Sequence, residues 1–312
     1  MNRYLKDLKL FMIKKYSGIT ITVFFLLLFA YYLITEPQFL EILSTTDPSI
    51  IITILLLSLF RICLVTIQNI YLFRIININL KFKETFKVVY INRAGNQLLP
   101  LKLGSGYKAH YFINKLNVPM FKYLYLTTGQ HAVSLIITFI IFLISVNLSS
   151  NIYSEYLLGL INSSLFLFLI FLIFSFFIFY YFYKKDRFNE KSIFIKIYSG
   201  LKILFTPNIN QFLLLITTTL IILLNIYILF YIADMYVLNN SIYETAKFYS
   251  VGIMSSLVQV TPGNIGISEI ALISLQDLYV FNTSEILAIS IVGRGTEYLL
   301  LLILNFFIKK GD

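Results

Sequence analysis

Long apolar runs separated by short polar intervals dominate the chain. They cover 18–34, 50–73, 122–146, 156–183, 212–236 and 286–308, between 17 and 28 residues each. Every run is long enough to cross a hydrocarbon core of about 30 Å as a helix. None shows the period-two alternation of a membrane β-strand, and all are too long for one. The pattern predicts an all-α polytopic membrane protein with about six full spans. The first run follows a basic start, as in a signal peptide, but has no small-x-small cleavage site and reads as a retained helix.

Two intervals do not fit a simple span. The stretch 74–121 is semi-polar and broken at "LLPLKLGSG"; 244–281 is broken at "TPGNIGISE". Proline and glycine end helices locally. Each interval therefore predicts a pair of short helices that enters the membrane and turns back, over about 84–121 and 244–281. Irregular backbone at that depth is tolerated only where protein or a water-filled cavity covers it.

Composition agrees with this class. Of 312 residues, 58% are hydrophobic and 13% charged, where a soluble domain carries about 25% charged. The net charge of +10 does not imply a nucleic-acid partner, because the basic residues are sorted along the chain. The segments 1–17, 74–122, 184–202 and 309–310 hold 22 of the 25 Lys and Arg, whereas 35–49, 147–155 and 237–246 hold none. Positive loops stay on the cytoplasmic side, where anionic lipid attracts them. Both termini are then cytoplasmic, the first hairpin enters from inside and the second from outside. The expected location is the cytoplasmic (plasma) membrane, with membrane lipid as the partner.

The two broken intervals resemble each other. "ETFK" (84–87) lies 16 residues before Pro100, and "ETAK" (244–247) lies 18 residues before Pro262; Pro100–Gly104 and Pro262–Gly266 share Pro-x-x-x-Gly. "GQHA" (129–132) and "GRGT" (293–296) occupy comparable places in the following spans. Their order at nearly constant offset predicts a duplication within a single membrane domain, 1–312, with halves of about 1–146 and 156–308. One half begins inside and the other outside, which makes the repeat inverted. Inverted repeats with matching broken helices are a signature of secondary transporters, whose site lies where the breaks meet. There, freed backbone N–H groups can receive a polar or anionic group.

These residues also carry a family resemblance. "TPGNIGISE" resembles the Pro-Gly-Gly-Leu-Gly-x-Arg-Glu motif of the lysylphosphatidylglycerol synthase transmembrane-region family, also called flippase-like membrane proteins. "NQLLPLKLGSGYKA" resembles its Leu-Pro-x-Arg-x-Gly-Glu-x-x-Arg signature, and Arg294 falls where the family usually has an arginine. The chain departs from the pattern at Ser105 (for Glu), Lys108 (for Arg), Ser268 (for Arg), and at Gln130 and His131 (for a Glu-Arg pair). The resemblance implies the membrane half alone, without the soluble aminoacyl-transferase domain of lysyl-lipid synthases.

The candidate site residues follow from charge inside apolar segments, which is costly unless paired, protonated or hydrated. Glu269, just after Pro262, Gly263 and Gly266, is the leading candidate; its structural alternative is a helix cap. Arg294 and Glu297 lie three apart and can neutralise each other. Alternatively, Arg294 pairs with Glu269 or grips a phosphate. Arg61, mid-span, lies too far from either interface to snorkel, and faces a phosphate or a structural partner such as Gln68. Arg93, Lys102 and Lys108, with Pro100 and Gly104, line the first hairpin as a basic vestibule or as ordinary positive-inside anchors. His110 and His131 are not spaced as metal ligands and read as packing or hydrogen-bonding residues, and Cys63 reads as a small core residue.

No cofactor, metal site, nucleotide-binding loop or catalytic motif is readable. The expectation is a flippase-like transporter of an anionic lipid headgroup, either an aminoacylated phospholipid or a polyprenyl-phosphate-linked sugar. Its alternatives are a non-transporting partner of an envelope-synthesis enzyme and an integral-membrane transferase acting on lipid-linked substrates.

Overall fold

Along the long helices many large apolar side chains face outward, and polar and charged groups lie inside beside an apolar core. This is the arrangement expected where the surrounding solvent is hydrocarbon. The computed structural model describes residues 48–148, 208–237, 240–256 and 261–309. Within them lie eight α-helices and no strand: α1 (Pro48–Arg74), α2 (Phe82–Leu98), α3 (Leu103–His110), α4 (Met120–Leu148), α5 (Ile209–Ala233), α6 (Ile242–Ser255), α7 (Ile267–Ser274) and α8 (Thr283–Lys309). Four are long and apolar enough to span a membrane: α1, α4, α5 and α8. They correspond to the expected spans 50–73, 122–146, 212–236 and 286–308. The third ends at Ala233, because 234–236 form a turn. The expected spans 18–34 and 156–183 fall outside the described residues.

In α1 the two faces are explicit. Ile52, Leu56 and Phe60, four apart, are each more than half exposed, while Ile54, Ser58 and Ile62 are buried. Spacing of four places each trio on one helical face. The bundle interior carries polar groups that hydrocarbon would not accept. Gln130 of α4 donates to Gln68 of α1 at 2.7 Å, and Gln68 donates to Thr218 of α5 at 2.8 Å. Thr218 in turn donates to the Leu214 carbonyl at 2.7 Å. Buried carboxamides bonded in series leave few polar groups without partners, and they tie three helices together.

Both broken intervals fold back on themselves. α2 packs on α3 and α6 packs on α7. The first break follows from Pro100. Leu99 before it is extended, and Leu101 and Lys102 adopt left-handed φ of 59° and 54° before α3 begins. Close packing of α2 on α3 needs the glycine at 104, where a Cβ would fall 2.0 Å from the Asn92 carbonyl oxygen. The second break runs through extended Thr261, a 3-10 turn over Pro262–Asn264, and left-handed Gly263, Asn264 and Gly266. The aromatic side chains Phe73, Phe112 and Tyr123 stack at the base of the first pair, with Phe73 and Phe112 centroids 4.0 Å apart. Phe248, Tyr279 and Phe281 do the same at the second.

The two breaks meet. The turn at Pro262–Asn264 packs against α2, and Gly263 sits so close to Gln97 that a Cβ would lie 2.5 Å from its Oε1. Tyr298 of α8 donates to the Gln97 carbonyl at 3.4 Å.

Candidate functional site

Arg61 is the central residue of the 27-residue α1, and Glu297 lies near the middle of α8. They form a direct ion pair through Arg61 Nη2 and Glu297 Oε2. Arg93 of α2 reaches the same carboxylate from the other side. Its Nε donates to Oε1 and its Nη2 to Oε2, the latter at 2.9 Å. Arg61 Nη1 also donates to Asn225 Oδ1 of α5 at 2.8 Å, and Asn225 Nδ2 donates to the Tyr249 hydroxyl oxygen at 3.3 Å. Glu297 is thus the hub of a network joining α1, α2, α5, α6 and α8. Its side chain is 6% exposed, against 13% for Arg61 and 24% for Arg93.

The charge count within this network is uneven. Two guanidiniums share one carboxylate, which leaves one excess positive charge in a largely buried place. A carboxylate accepting a forked guanidinium is the strong form of ion pairing. The second cation has to share it. Arg61 Nε, buried, has no hydrogen-bond partner among the described residues.

A second cluster lies one helical turn away on α8. Arg294 Nη2 donates to Ser268 Oγ at 2.6 Å, touches the Asn264 carbonyl at 3.4 Å, and lies 2.5 Å from Glu269 Oε1 as an ion pair. Glu269, 1% exposed, is the N3 residue of α7. Its Oε2 accepts the Gly266 N–H at 2.8 Å, which satisfies a donor that the helix start would otherwise leave free. Glu269 is therefore both cap and counter-ion, and this cluster is balanced in charge. Ser268, where the family motif has arginine, gives Arg294 its hydrogen bond.

Between the two breaks lies a cavity of about 400 Å³, lined by Arg93, Asn92, Asn96, Gln97, Ser256 and Asn264, with Gly263 at its edge. A smaller cavity of about 170 Å³ lies beside Arg61, Asn225, Tyr249 and Glu297. The arginine–glutamate network contributes to the walls of both.

Of the residues singled out from sequence, the fold brings Arg61, Arg93 and Glu297 into one network, and Glu269 and Arg294 into another. Arg294 pairs with Glu269 and not with Glu297, three residues away on its own helix. Gln68 bonds to Thr218 and not to Arg61. Pro262, Gly263 and Gly266 shape the second break, and Pro100 and Gly104 the first. Lys102 and Lys108 stand apart from Arg93, near His131 of α4, and meet no carboxylate among the described residues. Sequence reasoning missed Asn225, Gln97 and Asn264. Asn225 had a readable signal, as a lone polar residue in the apolar run "LIILLNIYILF".

Long outward-apolar helices, an interior of buried charge, and two broken helix pairs that meet define a multi-pass α-helical membrane protein. The chain belongs to the family of the lysylphosphatidylglycerol synthase TM region, whose model matches residues 16–304. Among curated proteins and solved structures, nothing matches it.

Proposed function

We propose that this protein is a flippase-like lipid transporter that takes the phosphate of an anionic lipid headgroup into the cavity between its two broken helix pairs. One observation carries the reading: Arg61 and Arg93 share the single carboxylate of Glu297 at the wall of that cavity. A phosphodiester brings the one negative charge that the network lacks. Arg93 is the more exposed guanidinium and lines the cavity, so it is the one that turns from Glu297 to the phosphate. Arg61 and Glu297 then remain as a neutral pair. A phosphate leaving water loses its hydration, and fixed guanidinium donors replace it. The lipid tails stay in the bilayer throughout.

The family's lipid-related name and the cavity's position between the breaks support the same reading. The inverted repeat belongs to this proposal. E-T-x-K opens both α2 and α6, and a short helix follows each break. Rocking of one half against the other would carry the headgroup from one face to the other, with both termini cytoplasmic. Glu269, locked as cap and counter-ion, has a structural role in this scheme.

The test is transbilayer movement of labelled phosphatidylglycerol in liposomes holding the purified protein, with empty liposomes as background. Movement above background that Arg93→Gln abolishes in folded protein is the expected result. Background rates for every anionic lipid would overturn the reading.

A further inference from the structure

The cavity that Arg93 lines has two kinds of wall, an apolar one at Val65 and Val89 and one made of carboxamides. Asn92, Asn96, Gln97 and Asn264 border it, with the Ser256 hydroxyl. Asn92 Oδ1, Gln97 Oε1 and Asn264 Oδ1 are buried and find no hydrogen-bond partner among the described residues. An unpaired buried oxygen is unfavourable, and most such atoms in folded proteins are satisfied. A carboxamide presents both a donor and an acceptor, and a hydroxyl is its natural complement because it also does both.

Among the described residues, the cavity offers no free carboxylate. Glu297 is occupied by two arginines, and Glu269 by Arg294 and the Gly266 N–H. An ammonium group entering here would lose its hydration without a counter-charge, and it would face Arg93.

We infer that this cavity selects a hydroxyl-rich headgroup carried on the phosphate, such as a glycerol, an inositol or a single sugar, and rejects an aminoacylated one. The inference rests on the proposed phosphate site and names the chemistry beside it. Arg93 takes the phosphodiester, and the four carboxamides take the hydroxyls. Asn96 is partly committed, since its side chain accepts the Ser105 N–H at 3.0 Å and bonds the Ser105 hydroxyl. Gln97 and Asn264, which both line the cavity where the two breaks meet and leave their amide oxygens unpaired among the described residues, are therefore the main discriminators. Asn264 Nδ2 also donates to Ser255 Oγ at 3.4 Å.

The test compares three labelled lipids with identical tails in liposomes holding the full chain. Phosphatidylglycerol carries a phosphodiester with hydroxyls, phosphatidylethanol the same charge without hydroxyls, and lysylphosphatidylglycerol added ammonium groups. The expected order is phosphatidylglycerol about tenfold faster than phosphatidylethanol, the worth of one to two net hydrogen bonds, with lysylphosphatidylglycerol slowest. Gln97→Leu is expected to collapse the first ratio. Gln97→Glu, which supplies the missing carboxylate, is expected to raise lysylphosphatidylglycerol relative to phosphatidylglycerol. Ratios within one preparation do not depend on the folded fraction. Equal rates for phosphatidylglycerol and phosphatidylethanol, or lysylphosphatidylglycerol moving fastest, would overturn the inference while transport stands. Thermal stabilisation of the detergent-purified protein by short-chain forms of the same lipids gives a second readout. Preference in binding without movement supports the recognition and removes the transport reading; no preference in either removes the inference.

Discussion

Gly263 rests against Gln97 at a distance that leaves no room for a side chain. An added Cβ would lie 2.5 Å from Gln97 Oε1 and 3.3 Å from the Tyr298 hydroxyl, and the glycine holds a φ of +56°. The atom met is the far end of a flexible side chain, which can move away. Gly263→Ala is therefore expected to lower stability by about 1–2 kcal/mol, mostly for the left-handed backbone. Gly104→Ala meets backbone at 2.0 Å and is expected to cost about 3 kcal/mol or more, because α2 and α3 must separate. Gly106, with nothing within 4 Å, is expected to gain about 0.5–1 kcal/mol on becoming alanine. Thermal unfolding of the three variants in detergent checks this order; Gly263 costing more than Gly104 would contradict the packing.

Removing the hub of the buried network leaves two arginines facing each other. Glu297→Gln is expected to destabilise by about 3–5 kcal/mol, the range for leaving a buried charge without its partner. Adding Arg61→Leu should recover part of that loss, because one of the stranded cations is gone. A double-mutant cycle on unfolding midpoints measures the coupling. Purely additive losses would mean that the two side chains do not share an energetic connection.

Glu269 does two jobs that substitution separates. Glu269→Gln keeps an oxygen for the Gly266 N–H and loses the charge opposite Arg294; Glu269→Leu loses both. The leucine variant is expected to be the less stable by about 1 kcal/mol, the usual worth of a helix-capping bond. Ser268→Ala removes the 2.6 Å bond to Arg294, and about 0.5–1.5 kcal/mol is expected to go with it. Equal midpoints for the glutamine and leucine variants would show that the cap contributes nothing.

The proposed inverted repeat predicts opposite exposure for equivalent helix starts. Cys63 is the only cysteine, so Cys63→Ser gives a background free of thiols. A cysteine at Lys81, exposed before α2, is expected to react with an impermeant thiol reagent only from the cytoplasmic side. One at Tyr243, exposed at the start of α6, is expected to react only from outside. Labelling of both from the same side of intact cells would rule out the inversion.

The breaks were legible in the sequence because proline and glycine act locally. Pro100 makes Leu99 extended whatever surrounds it, and Pro262 does the same to Thr261. Four of the six expected spans appear as helices for the same reason: an apolar run of that length has few alternatives. The pairing of charges was not legible. The sequence offered Arg294 two partners, Glu297 three residues on and Glu269, and could not choose between them; the helix turns Arg294 toward Glu269 of α7 and Glu297 toward α1 and α2. Arg61 and Glu297 are 236 residues apart, and nothing local in either segment encodes the other. Glu269 shows the mixed case. Its capping role was readable from the three-residue offset to Gly266, whereas its counter-ion depended on how α7 docks against α8.

A wall of carboxamides does not titrate. Asn92, Asn96, Gln97 and Asn264 have no ionisable group and carry no charge at any physiological pH. Under the proposed recognition, the grip of these amides on a headgroup is the same on both sides of an energised membrane, however far the two compartments differ in acidity. A transporter working as proposed would load according to how much lipid each leaflet offers. Any uphill work must come from a group elsewhere in the protein or from metabolism that consumes the lipid on arrival.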